Sequence, residues 1–284
     1  MMTTTAARLP WRGRLQVRYG YKRDRTSPIA PFCQAPLKLQ QPFYPVGEGT
    51  CCSTILHTAG GIVGGDRLDY ALTLDPNARA LLTTAAAGKV YGSNGSMAEQ
   101  CIEIALNSGS QLAWLPQETI IFEGAQFAQK LRVELVSGAR WVGWDVARLG
   151  RSARGEKFLR GCWRSRLEIW RQGTPLWIDR QVLHGSPDLW ASPIALAEKP
   201  VVATFLWLGY PVTEATFSRC QEIAAPPMAG ITRTVGEGLV ARYRGDSTAA
   251  AQAWFLALWQ ILDAEAIAFQ PHLQRLGLPA AAVR

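Results

Sequence analysis

The chain has 284 residues, 48% of them apolar and 18% charged, a composition typical of a globular protein with one large domain. It contains no run of about 18 apolar residues, so no membrane-spanning helix is expected. The net charge of +8 is concentrated in residues 1–40, with a balance of +7, and in residues 148–171, with a balance of +6. Such basic patches attract acidic partners, which can be protein surfaces or nucleic acids.

The N-terminal segment alternates between apolar and mostly basic residues. Leu15, Val17 and Tyr19 are separated by Gln16 and Arg18. A period of two predicts a half-buried strand and not an amphipathic targeting helix. Since no apolar signal-peptide stretch precedes it, we expect a cytoplasmic protein whose six cysteines are reduced and mostly buried.

A strand–turn–strand pattern recurs about every 30 residues after residue 68. The paired strands are predicted at 68–74 and 79–84, at 101–106 and 111–115, at 131–136 and 140–146, and at 166–171 and 176–182. Gly, Asn, Asp and Pro separate the two strands of each unit, which is typical of hairpins. Stacked units predict a mostly β fold of layered sheets, and the pattern fits a sandwich and a β-helix-like stack equally well.

The last third of the chain changes to a helical pattern. Thr213 is a candidate N-cap for a helix over 213–224, and Asp246 or Ser247 for a longer helix over 246–263. An apolar stripe on the longer helix either covers a sheet or binds a partner helix. We expect one domain that is β-rich over about 8–210 and helical over about 211–265, with a loose tail over 266–284.

A glycine-rich segment, His57 to Leu68, reads HTAGGIVGGDRL. Clustered glycines allow positive φ and close packing of the backbone. The segment lacks the Gly-Lys-Ser/Thr ending of a phosphate-binding loop and the spacing of a dinucleotide fingerprint. It also leads into a strand, so no helix N-terminus is available to hold a phosphate, and nucleotide binding is not expected.

This segment resembles the hallmark loop His-Pro-Pro-Gly-Gly-Ile-Val-Gly-Gly-Asp of the UreD/UreH family of urease accessory proteins, with Thr58 and Ala59 in place of the two prolines. Other stretches resemble the family in the same order. They are WRGRLQVRYGY (11–21), QPFYP (41–45), ALLTT (80–84), GKVY (88–91), WLPQETIIFEG (114–124), LGRSARGEKF (149–158) and LVARYRGD (239–246).

The resemblance implies a largely β protein with a small helical portion and no catalysis of its own. Members of the family form a complex with the helical protein UreF and the GTPase UreG. That complex binds the apoprotein subunits of urease and helps to assemble the dinuclear nickel centre. The resemblance therefore implies no tightly bound cofactor, only transient Ni²⁺ on an internal route.

A transit route must bind Ni²⁺ weakly, and oxygen ligands suit this better than a dense cage of His and Cys. Our route candidates are polar residues inside the family motifs: His57, Asp66, Thr83, Thr84, Glu118 and Asp145. Each also has a structural interpretation, such as capping a turn or ending a strand. Partner-contact candidates are Lys89, Tyr91 and Trp259.

Two other classes of function compete with this interpretation. An enzyme would use Glu118 and Asp66 as an acid/base pair, but the sequence offers no nucleophile–base–orienter set and no cofactor loop. A nucleic-acid-binding protein would use the basic stretches 8–25 and 148–171. No RNP, zinc-finger or helix-turn-helix pattern accompanies these stretches, so nucleic acid is not expected as the partner.

Overall fold

The computed structural model describes residues 10–263, 273–275 and 278–279. Strands dominate it, and the helices are few, which confirms the predicted fold class. The strands are β1 (Arg12–Lys22), β2 (Arg25–Gln34), β3 (Leu37–Leu39), β4 (Thr50–His57), β5 (Arg67–Leu74), β6 (Arg79–Thr84), β7 (Gly88–Val90), β8 (Ala98–Leu106), β9 (Gln111–Trp114), β10 (Thr119–Ile121), β11 (Gln126–Leu135), β12 (Arg140–Leu149), β13 (Cys162–Arg171), β14 (Thr174–His184), β15 (Val201–Leu208), β16 (Ala229–Arg233) and β17 (Gly238–Gly245). The helices are α1 (Pro187–Ala191), α2 (Glu214–Glu222) and α3 (Thr248–Leu262), and a 3₁₀ turn spans Ser152–Arg154.

Two stacked sheets form the body of the protein. Sheet A has the strand order β14-β13-β11-β8-β5-β1-β2, and sheet B has the order β16-β17-β15-β12-β9-β6-β4-β3. From β5 to β12 the chain alternates between the sheets, and each long strand pairs in parallel with the equivalent strand of the neighbouring turn. Of the two predicted architectures, the β-helix-like stack, a solenoid, is therefore the one observed. Antiparallel strands such as β2, β14 and β15 flank the parallel turns.

The prediction of hairpins is wrong for the first three repeat units. Strand β5 pairs with β1 and β8, whereas β6 pairs with β4 and β9 in the other sheet. The turn after β5 is a corner, and its Asn77 N–H donates to Ser108 O of the next corner at 3.0 Å. Gly and Asn accept the same dihedrals in a corner as in a hairpin, so turn chemistry alone does not distinguish them. The fourth unit, β13 and β14, is an antiparallel hairpin as predicted.

The space between the sheets holds the first apolar core. Leu15, Val17 and Tyr19 of β1 point into it, which confirms the predicted alternation, whereas Trp11 just before the strand remains 41% exposed. Larger side chains such as Trp141 and Trp163 are fully buried in the same core. One row of residues in this interior is polar, and it defines the candidate site.

A second apolar core covers the outer face of sheet B. Thr213 and Ser247 cap α2 and α3 as predicted, each hydroxyl accepting a backbone N–H at 3.1 Å. The stripe of α3 packs on the sheet, and the Phe255 ring stacks on that of Phe205 with centroids 5.6 Å apart. No helix among residues 10–263 and the two short described segments is long and apolar enough to cross a membrane. Apart from 273–275 and 278–279, the tail predicted for 266–284 lies outside the described residues.

Candidate functional site

The glycine-rich loop packs directly against strand β7. A Cβ atom on Gly61 would lie 2.6 Å from Lys89 O, and Gly61 has a φ of +151°, so only glycine fits without strain. The Tyr91 hydroxyl donates to Gly60 O at 2.9 Å and also holds the loop in place. The glycines of this loop therefore have a fixed position just after His57, the last residue of β4.

Asp66 holds this loop together. Its Oδ1 accepts the Trp11 N–H at 2.8 Å, and its Oδ2 accepts the Val63 N–H at 3.0 Å. The residue is 1% exposed, and it does not line the interior cavity described next. Among the predicted route residues, Asp66 thus acts as a turn cap, which is the structural interpretation that the sequence allowed.

A cavity of about 400 Å³ lies between the two sheets. Its walls are the inward-facing residues of both sheets, and it extends to the segments 57–61 and 85–89, where Lys89 is exposed. Three predicted route residues line it: His57, Thr84 and Asp145. The fold therefore brings together residues from β4, β6 and β12 that are far apart in the sequence.

His57 presents one ring nitrogen without a partner. Its Nδ1 lies 3.0 Å from Ala59 O, and a carbonyl can only accept, so Nδ1 carries the proton. In the neutral ring Nε2 then bears the lone pair, the form in which imidazole binds metals. This Nε2 is buried and has no hydrogen-bond partner within the described part of the chain.

Asp145 is the carboxylate of the cavity, and it faces away from Trp144 as the alternation of β12 predicts. Gln129 donates to its Oδ2, and the Ser165 hydroxyl donates to the same oxygen at 3.4 Å. Burial raises the pKa of Asp145 to about 6, the two hydrogen bonds oppose that rise, and the nearby charge of Asp179 adds to it. Gln129 and Ser165 are not recognisable from the sequence, because nothing in their local pattern distinguishes them from structural polar residues.

The polar row continues beyond Asp145 towards the edge of the solenoid. On sheet B, Asp145 is directly opposite Thr204, which is directly opposite Arg242. Arg242 Nη2 lies 3.0 Å from Asp179 Oδ2 of sheet A, and the Arg242 side chain is 43% exposed. A continuous set of polar side chains therefore leads from the cavity to the surface at β14 and β17.

Thr83 and Thr84 have different surroundings although they are adjacent. The Thr84 hydroxyl donates to Ala86 O at 3.2 Å and accepts the Gln117 N–H at 2.9 Å, so it joins two loops at the wall of the cavity. Thr83 is fully buried and does not line the cavity. Of the two threonines, Thr84 is the one that borders the site.

Glu118 belongs to a second, smaller cavity. This cavity of about 260 Å³ is lined by Glu118, by the loop 85–87, and by Thr248 and Gln252 of α3. Glu118 does not line the interior cavity, and Asp66 lines neither cavity. The two carboxylates that the enzyme hypothesis requires are therefore not assembled in one cavity.

The predicted partner-contact residues also differ in their surroundings. Lys89 is exposed beside the interior cavity. Tyr91 is half-buried, with its ring edge against Phe122 at a centroid distance of 4.9 Å. Trp259 is 2% exposed and packs in the second core, so the structure places its side chain inside the protein and not on a docking surface.

Comparison with known proteins supplies the family. A family model described as UreD urease accessory protein matches residues 12–277. The urease accessory protein UreD of Nostoc sp. is 52% identical over 256 residues, covering 90% of this chain and 91% of the relative. The UreD of Acaryochloris marina is 51% identical over 272 residues, which cover 95% of this chain and 94% of the relative. The UreD of Synechocystis sp. is 42% identical over 258 residues, which cover 89% of this chain and 96% of the relative. The resemblance seen in the sequence is thus confirmed, and the chain belongs to the UreD family of urease accessory proteins.

Proposed function

We propose that this chain acts in urease maturation as a cytoplasmic, non-catalytic scaffold. It binds apo-urease together with UreF and the GTPase UreG, and it passes Ni²⁺ towards the urease active site. Membership in a family described as urease accessory proteins supports a role beside urease. In this proposal Ni²⁺ is cargo, held only in transit.

The interior cavity is the proposed passage. The observation that carries this proposal is that His57 and Asp145 line one cavity between the sheets although they come from different turns of the solenoid. His57 offers an unpartnered ring nitrogen, and Asp145 offers a carboxylate held by Gln129 and Ser165. Beyond Asp145 the polar row leads to Asp179 and the surface.

The chemistry of these groups suits transfer better than storage. A single imidazole and a single carboxylate, with hydroxyl and amide groups around them, bind Ni²⁺ less tightly than a dense set of His and Cys ligands would. Metal binding to Asp145 also competes with a proton, because the pKa of this carboxyl is raised to about 6. Weak binding of this kind allows the ion to move on to the urease active site.

The test is the substitution Asp145→Asn in cells that co-express urease subunits, UreF and UreG under limiting nickel. The amide keeps the size of the carboxyl group but removes its charge. We expect nickel per urease active site and urease activity to fall several-fold, and excess nickel to restore both in part. Co-purification of the variant with UreF and apo-urease should be unchanged.

Asp69→Asn is the matched control, because Asp69 lies on the outer face of sheet A, with its side chain 40% exposed. This control should give wild-type nickel content. The transfer proposal fails if Asp145→Asn also yields fully loaded urease at limiting nickel. A wild-type chain that never co-purifies with apo-urease, with UreF and UreG present, would remove the scaffold role itself.

A further inference from the structure

The outer face of sheet A carries three cations in a row. Lys130 of β11 is directly opposite Arg166 of β13, and Arg166 is directly opposite Arg180 of β14. Neighbouring strands are about 4.8 Å apart, so three positive side chains project from adjacent positions. Like charges directly opposite each other destabilise a sheet, and this arrangement therefore calls for a compensating anion.

The chain itself supplies only part of that anion. Glu168 is fully buried beside the row, where its carboxylate contacts Arg166 and lies 3.4 Å from both Arg132 and Arg180. One carboxylate is thus shared by three guanidinium groups. It orients them, but it does not neutralise them.

Two of the cations on this face lack ion-pair partners. Arg164 and Lys130 form no salt bridge with any residue in the described part of the chain, whereas Arg132 also pairs with Glu134. The patch that consists of Lys130, Arg132, Glu134, Arg164, Arg166, Glu168 and Arg180 has a net charge of +3, and the exposed Glu103 of β8, directly opposite Arg132, lowers it to +2. We call it the cation face. It contains part of the basic stretch 148–171 that the nickel passage leaves unexplained.

Exposed aliphatic side chains border the cation face. Ile178 is 41% exposed and Val182 is 61% exposed, and both alternate with Arg180 on β14 so that they share its side of the sheet. Strand β14 is the last strand of sheet A, so one of its edges is open. A surface that combines fixed guanidinium groups with apolar side chains fits an acidic protein surface better than a phosphate backbone, which offers no apolar area to bury.

We propose that the cation face docks an acidic, partly apolar protein surface of apo-urease. This inference rests on the proposed function, which supplies urease as the partner, and it adds the surface that binds and the chemistry of the contact. Acidic side chains of the partner lie over Lys130, Arg164, Arg166 and Arg180, and apolar ones lie against Val182. Complementary charges of this kind set the orientation of docking and the rate of encounter.

The test is the double substitution Lys130→Glu/Arg164→Glu, because these residues have no salt bridge to lose. The variant is co-expressed with UreF, UreG and apo-urease, and its affinity for purified apo-urease is measured at low and at high salt. We expect affinity at low salt to fall on the order of 10-fold or more, since two reversed charges are repelled where two were attracted. Retained co-purification with UreF shows that the variant folds.

The control Arg12→Glu/Arg14→Glu makes the same change in charge on exposed residues of β1, at the other end of the same sheet. It should bind apo-urease like the wild type. Equal loss in both variants, or none in the test variant while the wild type binds, overturns the cation face as the docking site. If the wild type binds a DNA or RNA duplex through this face and apo-urease does not compete, nucleic acid is the partner and the inference is wrong. A wild type that binds no apo-urease refutes the proposed function as well.

Discussion

Replacing Asp145 by asparagine measures what it costs to keep a carboxylate between the sheets. Burial raises the pKa of Asp145 from 3.8 to about 6, although the hydrogen bonds from Ser165 and Gln129 oppose the rise. A shift of about two pKa units corresponds to about 3 kcal/mol between the protonated and ionised forms. At neutral pH the ionised carboxylate therefore lowers the free energy of unfolding by about 3 kcal/mol.

The sign of the pH dependence follows from the direction of the shift. Because the pKa is higher in the folded protein, the penalty is full above about pH 6 and disappears as the pH falls towards 3.8. Asparagine does not titrate in this range. Asp145→Asn should therefore exceed the wild type in unfolding free energy by up to about 3 kcal/mol near pH 7.5 and by about half of that near pH 5.

Urea denaturation at both pH values, followed by tryptophan fluorescence, measures this difference. Asp69→Asn is again the control, since a surface carboxylate paired with Arg67 contributes at most about 1 kcal/mol. The reasoning is refuted if Asp145→Asn is no more stable than the wild type near neutral pH. It is equally refuted if the advantage of the variant does not shrink on acidification.

Two further substitutions test the packing around the site. Gly61→Ala should lower the free energy of unfolding by about 1–3 kcal/mol, because the φ of Gly61 is +151° and the added Cβ would meet Lys89 O. The control Gly60→Ala should change the free energy of unfolding little, because the nearest atom to its Cβ would be 3.5 Å away. Thermal unfolding compares the two variants. Phe255→Ala should lower the free energy of unfolding by about 3–5 kcal/mol, because the ring is fully buried between α3 and sheet B. The control Ile194→Ala, at an exposed position, should lower it by less than about 0.5 kcal/mol, and urea denaturation measures both. A mild effect at Gly61 or Phe255 would contradict the packing described here.

The sequence predicted well those features that depend on near neighbours in the chain. Alternation along β1 identified which side chains face the interior, because successive residues of a strand point to opposite faces. Thr213, and Ser247 as one of two alternatives, were identified as caps because a hydroxyl before an apolar-periodic run satisfies the first free N–H groups of a helix. Both features are decided within a few residues.

Local sequence patterns could not predict which strands pair or which residues meet in the site. Gln129 and Ser165 meet Asp145 across sequence separations of 16 and 20 residues, because consecutive turns of the solenoid stack in register. Neither residue belongs to a motif that distinguishes it from other polar strand residues. On the sequence alone, Glu118, Asp66 and Asp145 were equal candidates for the nickel route. The fold instead makes Asp66 a turn cap and places Glu118 beside another cavity.

The register of the strands explains how the fold tolerates a polar interior. Each strand of a β-solenoid contributes one inward side chain to each layer. Most of the interior polar residues fall in one layer, in which Gln100, Gln129, Ser165 and Gln181 on sheet A face Asp145, Thr204 and Arg242 on sheet B. The layers on either side are largely apolar, with Phe127 beside Trp163 and Leu131 beside Leu167, and the exception is Asp179, which is directly opposite Leu167 and pairs with Arg242. The cost of burying polar groups is thus concentrated in one layer, while its largely apolar neighbours hold the turns together. Such a division would let the polar layer change its charge without unfolding the solenoid, which the proposed passage for Ni²⁺ requires.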